Sequence, residues 1–423
     1  MSETIPLITG AASAPSCKLH PQSMCPAFGA LRLLTRFEGS HPVMATDTGC
    51  LYGLTFVTHF YGARKSIIAP QLGTAELLDG KVIEGTRAAI ARAAEEPGCR
   101  LIPVISLCVA ETAGMPEELL PRQQGQAEVV LVRVPAYAIH SHADAKDVAM
   151  EALLRRIGDR EGPREPRTAI IMGEVFPADQ LAIDATLRAM GAEATIALPG
   201  RSVDDLYRAG RGTVFAPLHP FYRGTIKLYR EWDTPIAGGA PVGMSGSYAW
   251  LKSLGSLMKL DPQQVQRVAD DERARAANTI DAKPLKGARI LVTGYEGTEL
   301  AYARVLVEAG AEVPYVSTAI GTDPLVLPDE LWLKSHGTKE VIYRKALEED
   351  MEALDRYSPD FVLGTTPFCA AAKDRGIPAM YFTNQVASRP FFLASGLEAI
   401  VGFMRDALNR GDRYRDMHAF FND

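Results

Sequence analysis

ARILVTGYEGTELAYARVLVEAGAEVPYVST, residues Ala288–Thr318, reads as a strand, a helix and a second strand in direct succession. The apolar, β-branched run Ile290–Thr293 has the length and content of a buried strand. The following stretch repeats its apolar residues at helical spacing and stops at Ala309-Gly310-Ala311-Glu312. Glycine at that point supplies the left-handed residue that ends a helix. The same grammar recurs in RTAIIMGEVFPADQLAIDATLRAMGAEATIALPG (Arg167–Gly200), with Met190-Gly191-Ala192-Glu193 at the equivalent turn. A third unit, DFVLGTTPFCAAAKDRGIPAMYFTN (Asp360–Asn384), repeats it near the C-terminus. Short strands alternating with amphipathic helices predict βαβ units and parallel sheets covered on both faces. The N-terminal part is less regular, although CRLIPVISLCVAET (Cys99–Thr112) reads as a buried strand ending in a turn. The expected fold class is therefore α/β, with three Rossmann-like domains: 1–165, 166–286 and 287–423. The charged helical stretch Asp261–Gly287 is expected to cross from the second to the third.

Bulk properties narrow the function. The chain has 423 residues, 47% of them hydrophobic and 23% charged, enough for a core that needs no staples. A net charge of −6 with no Lys/Arg block argues against nucleic acid, whose phosphates call for a basic surface. RRIGDREGPREPR (Arg155–Arg167) is mixed in sign and reads as a solvated linker. The opening MSETIPLITGAASAPSCKLHP has neither a cationic start nor a long apolar run, so no signal peptide and no membrane span are expected. Six cysteines without an export signal predict reduced thiols in the cytoplasm.

Three of those cysteines share a context. Cys25 precedes PAFGALRLLTRF, a helix opened by Pro26; Cys50 follows Gly49 and leads into LYGLTFVTHF; Cys108 ends the strand LIPVISL. At the start of a helix, free N–H groups and the helix dipole favour a thiolate, the form that ligates iron. The intervals of 25 and 58 residues exclude a local zinc knuckle or a C-x-x-C redox pair, so these thiols can meet only through the fold. Any one of them also reads as a small buried hydrophobe.

QSMCPAFGALR and CLYGLTFVTHFYGARK, with IPAMYFTNQVASRP (Ile377–Pro390) and GDRYRDMHAFF (Gly411–Phe421), resemble the Y-type subunit of chlorophyllide reductase. CPAFGAL, FEGSHPV, TGC and CVAET also resemble, in order and spacing, the cluster-cysteine framework of the β-type subunit of nitrogenase component 1. The resemblance to the nitrogenase component 1-like family implies that Cys25, Cys50 and Cys108 are half of the ligands of an iron–sulfur cluster at a subunit interface. The implied cluster is of P-cluster type (8Fe-7S), with a 4Fe-4S cluster as the alternative. The implied partners are an α-type sister subunit, in a heterotetramer, and a homodimeric ATP-dependent iron–sulfur reductase component. Departures such as RFEGSHPVMATDTGC and SIIAPQLGTAELLDGK point to a paralogue between the two families. The expectation is an electron-relay oxidoreductase subunit, the β-type (K) subunit of methylthio-alkane reductase. The alternatives are the Y-type subunit of chlorophyllide a reductase, which would reduce a tetrapyrrole ring, and a cofactor-assembly scaffold without turnover.

The remaining motifs are weaker. Cys369 in TTPFCAAA begins a helix and reads as a packed thiol, and no role is expected of Cys17 or Cys99. The resemblance implies that a catalytic cofactor would be held by one Cys and one His, the Cys in the middle domain. The second and third domains offer His219, His336 and His418, but 166–286 has no cysteine, so the resemblance favours electron relay over catalysis in this chain. HSHADAKD (His140–Asp147) reads as a helix cap before a metal site. GYEGTE (Gly294–Glu299) lacks the third glycine of a dinucleotide fingerprint and reads as packing. APLHPFYRG (Ala216–Gly224) has the content of a pocket lip, and GGAPVGMSGS (Gly238–Ser247) is a glycine-rich loop without the lysine of a P-loop, so no ATP hydrolysis is expected here.

Overall fold

The computed structural model describes residues 25–60, 67–343 and 347–422. Among these, strands form three main sheets. The first runs Val43–Ala45, Leu101–Ser106, Ala127–Arg133, Gln123–Gln124, parallel except for the last pair. The second places Thr168–Met172 between Ala194–Leu198 and Val214–Pro217, all parallel. The third is five-stranded and parallel, in the order Glu340–Tyr343, Tyr315–Thr318, Ile290–Gly294, Phe361–Gly364, Ala379–Tyr381. Parallel neighbours need crossover helices, and the apolar faces of those helices cover the sheets.

The two repeated glycine turns end their helices as expected. Gly191 and Gly310 adopt φ of 100° and 98°, and Ala192 and Ala311 donate back to Leu187 and Leu306. Cys99–Thr112 contains the strand Leu101–Ser106, buried along its whole length at the centre of the first sheet. Helix Pro262–Ile280, capped by Asp261, forms within the charged stretch.

A single apolar core continues from Phe28 through Ile170 to Leu363, with smaller clusters beneath the first and third sheets. Helix Leu393–Asn409, the last but one among the described residues, packs on Pro177–Ala189, Gly243–Leu257 and Pro262–Ile280, and so returns the chain to the second sheet's helices. The stretch read as a solvated linker is exposed yet tied down. Arg160 donates to the Gly210 and Trp232 carbonyls, and Glu165 pairs with Arg208. Short-range charge alternation does not reveal such long-range anchors. No helix among the described residues is long and apolar enough to cross a membrane.

Helix Ala27–Leu34 crosses His142–Ile157 at Gly29, where a Cβ would lie 2.2 Å from the His142 carbonyl oxygen. Backbone cannot yield as a side-chain tip can. Gly29→Ala is therefore expected to cost about 1–3 kcal/mol, read as a lower urea midpoint with unchanged slope.

Candidate functional site

The first sheet explains why distant cysteines come together. Strands Val43–Ala45 and Leu101–Ser106 are parallel neighbours, so the segments leaving their C-terminal ends emerge on one edge. Cys50 lies in the first turn of helix Thr48–Phe60, where Asp47 accepts the Gly49 and Cys50 N–H groups at 2.8 and 3.1 Å. Cys108 is the first residue of helix Cys108–Thr112, and its Sγ accepts the Ala136 N–H at 3.2 Å. Cys25 precedes helix Ala27–Leu34, with Pro26 at the cap, and that helix packs against Thr48–Phe60 and Leu101–Ser106.

The three thiols influence one another. Burial pushes the Cys25 thiol up, the Ala27 N–H opposes, and Cys108 and Cys50 add to the rise. Cys50 is exposed, yet it too is pushed up, first by partial burial and then by the Asp47 carboxylate. Placement at helix starts thus holds, while the expected lowering of the thiols does not appear at Cys25 and Cys50. Desolvation and neighbouring negative charge outweigh the N–H groups there. The Cys25 and Cys50 thiols resist carrying charge alone, which suits a cationic iron centre that stabilises thiolates. Among the described residues, no three Cys, His, Asp or Glu side chains are grouped to hold one metal ion. A cluster imposes a looser condition, because its thiolates bind different irons.

The sequence reading missed the brace behind Cys108. Glu111, one turn along the same helix, accepts from Ser106 Oγ and from Arg133 Nη1 at 2.7 and 2.9 Å. Arg133 also donates to the Met115 carbonyl. The glutamate three residues after the cysteine in CVAET was the available signal. Cys369 is buried in helix Thr366–Asp374 with its thiol pushed up to about 11 by burial, as befits a packed thiol. Cys99 lies outside this group, and Cys17 lies outside the described residues.

A second constellation, also missed, is a buried four-ion group joining all three sheets. Arg32 and Lys146 project from two helices around the first sheet; Glu174 and Glu296 follow the C-terminal ends of strands Thr168–Met172 and Ile290–Gly294. Arg32 bonds Glu174 and Glu296 at 3.0 Å each, and Lys146 bonds the same two at 2.9 and 3.0 Å. Thr383 Oγ1 donates to Glu296 at 2.8 Å. Burial pushes both carboxyls up, but the two cations outweigh it and hold them well below the usual range. The lone arginine in the apolar run AFGALRLL was the only local hint.

HSHADAKD forms a cap: Ser141 accepts the Asp144 N–H at the start of helix His142–Ile157. His142 is fully buried between Phe28 and Tyr295, with neither ring nitrogen hydrogen-bonded. Burial drives its pKa down to about 3, with Glu296 opposing and Lys146 and Arg32 reinforcing. The unfolded chain takes up that proton below about 6.5 while the folded chain refuses it until about 3. Stability is therefore full above 6.5 and falls as the pH drops through this window, by ~1.4 kcal/mol per pH unit. His142→Phe is expected to flatten this slope by one proton, measured by urea unfolding at a series of pH values.

Residues 25–409 match the family described as nitrogenase component 1 type oxidoreductase. The chlorophyllide reductase 52.5 kDa chain of Rhodobacter capsulatus is 38% identical over 411 residues, covering 95% of this chain and 82% of that one. A light-independent protochlorophyllide reductase chain of Prochlorococcus marinus is 25% identical over 382 residues, 84% of this chain and 70% of its own. The solved structure of nitrogenase Cp1 at pH 6.5 superposes with a TM-score of 0.80 over 95% of both chains, at 17% identity, a likeness of fold.

Proposed function

Because the chain belongs to the nitrogenase component 1 type oxidoreductase family, we propose that it is the β-type, electron-relay subunit of a two-component reductase. Cys25, Cys50 and Cys108 would hold half of the ligands of an iron–sulfur cluster shared with an α-type sister subunit. The observation that carries this reading is the convergence of three thiols on one edge of the first sheet, with Cys50 exposed. An iron–sulfur cluster supplies one-electron storage and transfer at a potential set by its surroundings. The chain's own residues do the rest. Ala136 N–H donates to Cys108 Sγ and so orients it. Asp47 fixes the first turn that carries Cys50, and Glu111 with Arg133 fixes the helix that carries Cys108.

The substrate reading shifts from the sequence expectation. Relatives named for chlorophyllide and protochlorophyllide reduction cover most of the chain, so reduction of a chlorophyllide-type tetrapyrrole replaces methylthio-alkane reduction. With it goes a four-iron cluster, to which the sister subunit adds the last ligand, in place of the eight-iron P-cluster type. The proposed assembly is a heterotetramer served by a homodimeric ATP-dependent iron–sulfur reductase in the cytoplasm. The divisions at 165/166 and 286/287 remain the proposed domain boundaries.

The test is iron, acid-labile sulfide and EPR on the complex purified anaerobically with its sister subunit, then turnover with chlorophyllide and with a methylthio-alkane. About four irons per interface and ring reduction are expected. About eight irons with release of methanethiol from the methylthio-alkane would restore that reading. Iron without turnover of either would leave an assembly scaffold, and no iron would remove the ligand assignment.

A further inference from the structure

Three motifs that the sequence singled out, and that the cluster does not use, meet around one cavity. His219 and Pro220 come from APLHPFYRG, Gly238 and Gly239 from GGAPVGMSGS, and Gly297 and Thr298 from GYEGTE. The cavity, about 230 Å³, lies between the second and third sheets, far above the 10–15 Å³ that admits one water molecule. Its walls are mostly apolar, with Ile226, Ile236, Leu300 and Ile320 among them. Gly297 makes the close approach possible: it has φ of 81°, and a Cβ there would lie 2.6 Å from the Phe221 ring.

Two buried polar atoms at this cavity have no hydrogen-bond partner, His219 Nδ1 and Thr298 Oγ1. Each residue is only 6% exposed, and both line the cavity. A buried polar group left unpaired is costly, so such a pair beside a roomy apolar space marks where a ligand's polar group belongs. The His219 ring is held by stacking on Phe221, with centroids 5.1 Å apart.

The surrounding charges fix the ligand's class. The four-ion group behind His219 and Thr298 is balanced within itself. In the loop that leads into helix Glu299–Glu308, the Glu299 carboxyl accepts the Glu296 and Gly297 N–H groups at 2.8 and 3.0 Å, so those two donors are not free for a phosphate. Of the charged lining residues, Asp329 is paired with Arg304, which leaves Arg230 to face solvent.

We propose that this cleft binds a small, uncharged aromatic or alicyclic molecule carrying one hydroxyl or carbonyl group, which pairs with His219 and Thr298. The ligand bridges the second and third sheets and sits beside the ions that join all three. This site is independent of the cluster cysteines and of the substrate reading above.

The test uses the complex purified with its sister subunit and follows binding of 4-fluorophenol by ¹⁹F NMR, with fluorobenzene as the probe that lacks the hydroxyl. Saturable binding of 4-fluorophenol, tighter than fluorobenzene, is expected. Thr298→Val should weaken 4-fluorophenol by roughly 3–10-fold and leave fluorobenzene unchanged. Ala301→Phe should abolish binding of both. Leu325→Trp, at a half-exposed lining position, should do the same without altering the interior, should the first variant fold poorly. Absence of saturable binding, or binding indifferent to these filling substitutions, overturns the proposal. Equal affinity for the two probes overturns the assignment of the polar pair.

Discussion

Cys108→Ala, introduced into the complex and purified anaerobically, is expected to strip iron from the subunit interface and to abolish electron delivery. The loss of turnover should exceed the roughly 10–100-fold that removal of an outer-shell partner produces, because a ligand itself is removed. Cys108 is the most informative of the three. Its helix is braced by Glu111 and Arg133, so the alanine variant should retain the local fold although it loses the bond from the Ala136 N–H to Sγ. Cys25→Ala and Cys50→Ala should behave alike. Cys369→Ala, which alters a buried thiol far up its titration range, should leave iron and turnover unchanged. Full iron content in Cys108→Ala would remove this residue from the ligand set whatever the activity did. Loss of iron from Cys369→Ala would point instead to general misfolding.

The second large effect lies in the buried ions. Glu296→Gln leaves Arg32 and Lys146 facing Glu174 alone, with one positive charge uncompensated in the interior. Breaking such a pair from one side costs about 3–5 kcal/mol, mostly the penalty of the stranded charge rather than the net worth of the bond. The expected result is a fall of that size in unfolding free energy, measured by urea titration. Lys146→Met combined with Glu296→Met removes one charge of each sign and should recover much of the loss, since well-packed apolar side chains can replace a buried pair at little cost. A double-mutant cycle separates the pair's coupling from the burial of each member. A loss below about 1 kcal/mol in Glu296→Gln, the range of exposed pairs, would mean that water reaches the group.

These two sites differ in how far they could be read before the chain was folded. The helix starts at Cys25, Cys50 and Cys108 could be read because a terminal turn is a local event, written in Pro26, in Asp47 and Gly49, and in the end of a buried run. The same holds for the glycine turns at Gly191 and Gly310, where a positive φ is needed within one residue of a helix end. Strand and helix periods are likewise short-range, and from them alone the α/β class and the parallel sheets followed. For the substrate, local motifs already resembled the Y-type subunit of chlorophyllide reductase, departures from them suggested a sulfur compound instead, and relatives over most of the chain support the tetrapyrrole reading.

What only the tertiary structure decided is which residues meet. Strand order set Val43–Ala45 beside Leu101–Ser106, and that adjacency turned three cysteines spread over some eighty positions into one constellation. Arg32, Lys146, Glu174 and Glu296 come from four segments with no common spacing, and nothing in their flanks marks them as partners. Their pairing is enforced by burial, because a charge carried into the core must find its opposite there. The cleft lined by His219, Gly239 and Thr298 arose in the same way, from loops that left separate sheets and were brought together by a core shared across all three. Periodicity determines each element. The removal of apolar surface from water determines how the elements assemble, and so which side chains are left to do chemistry together.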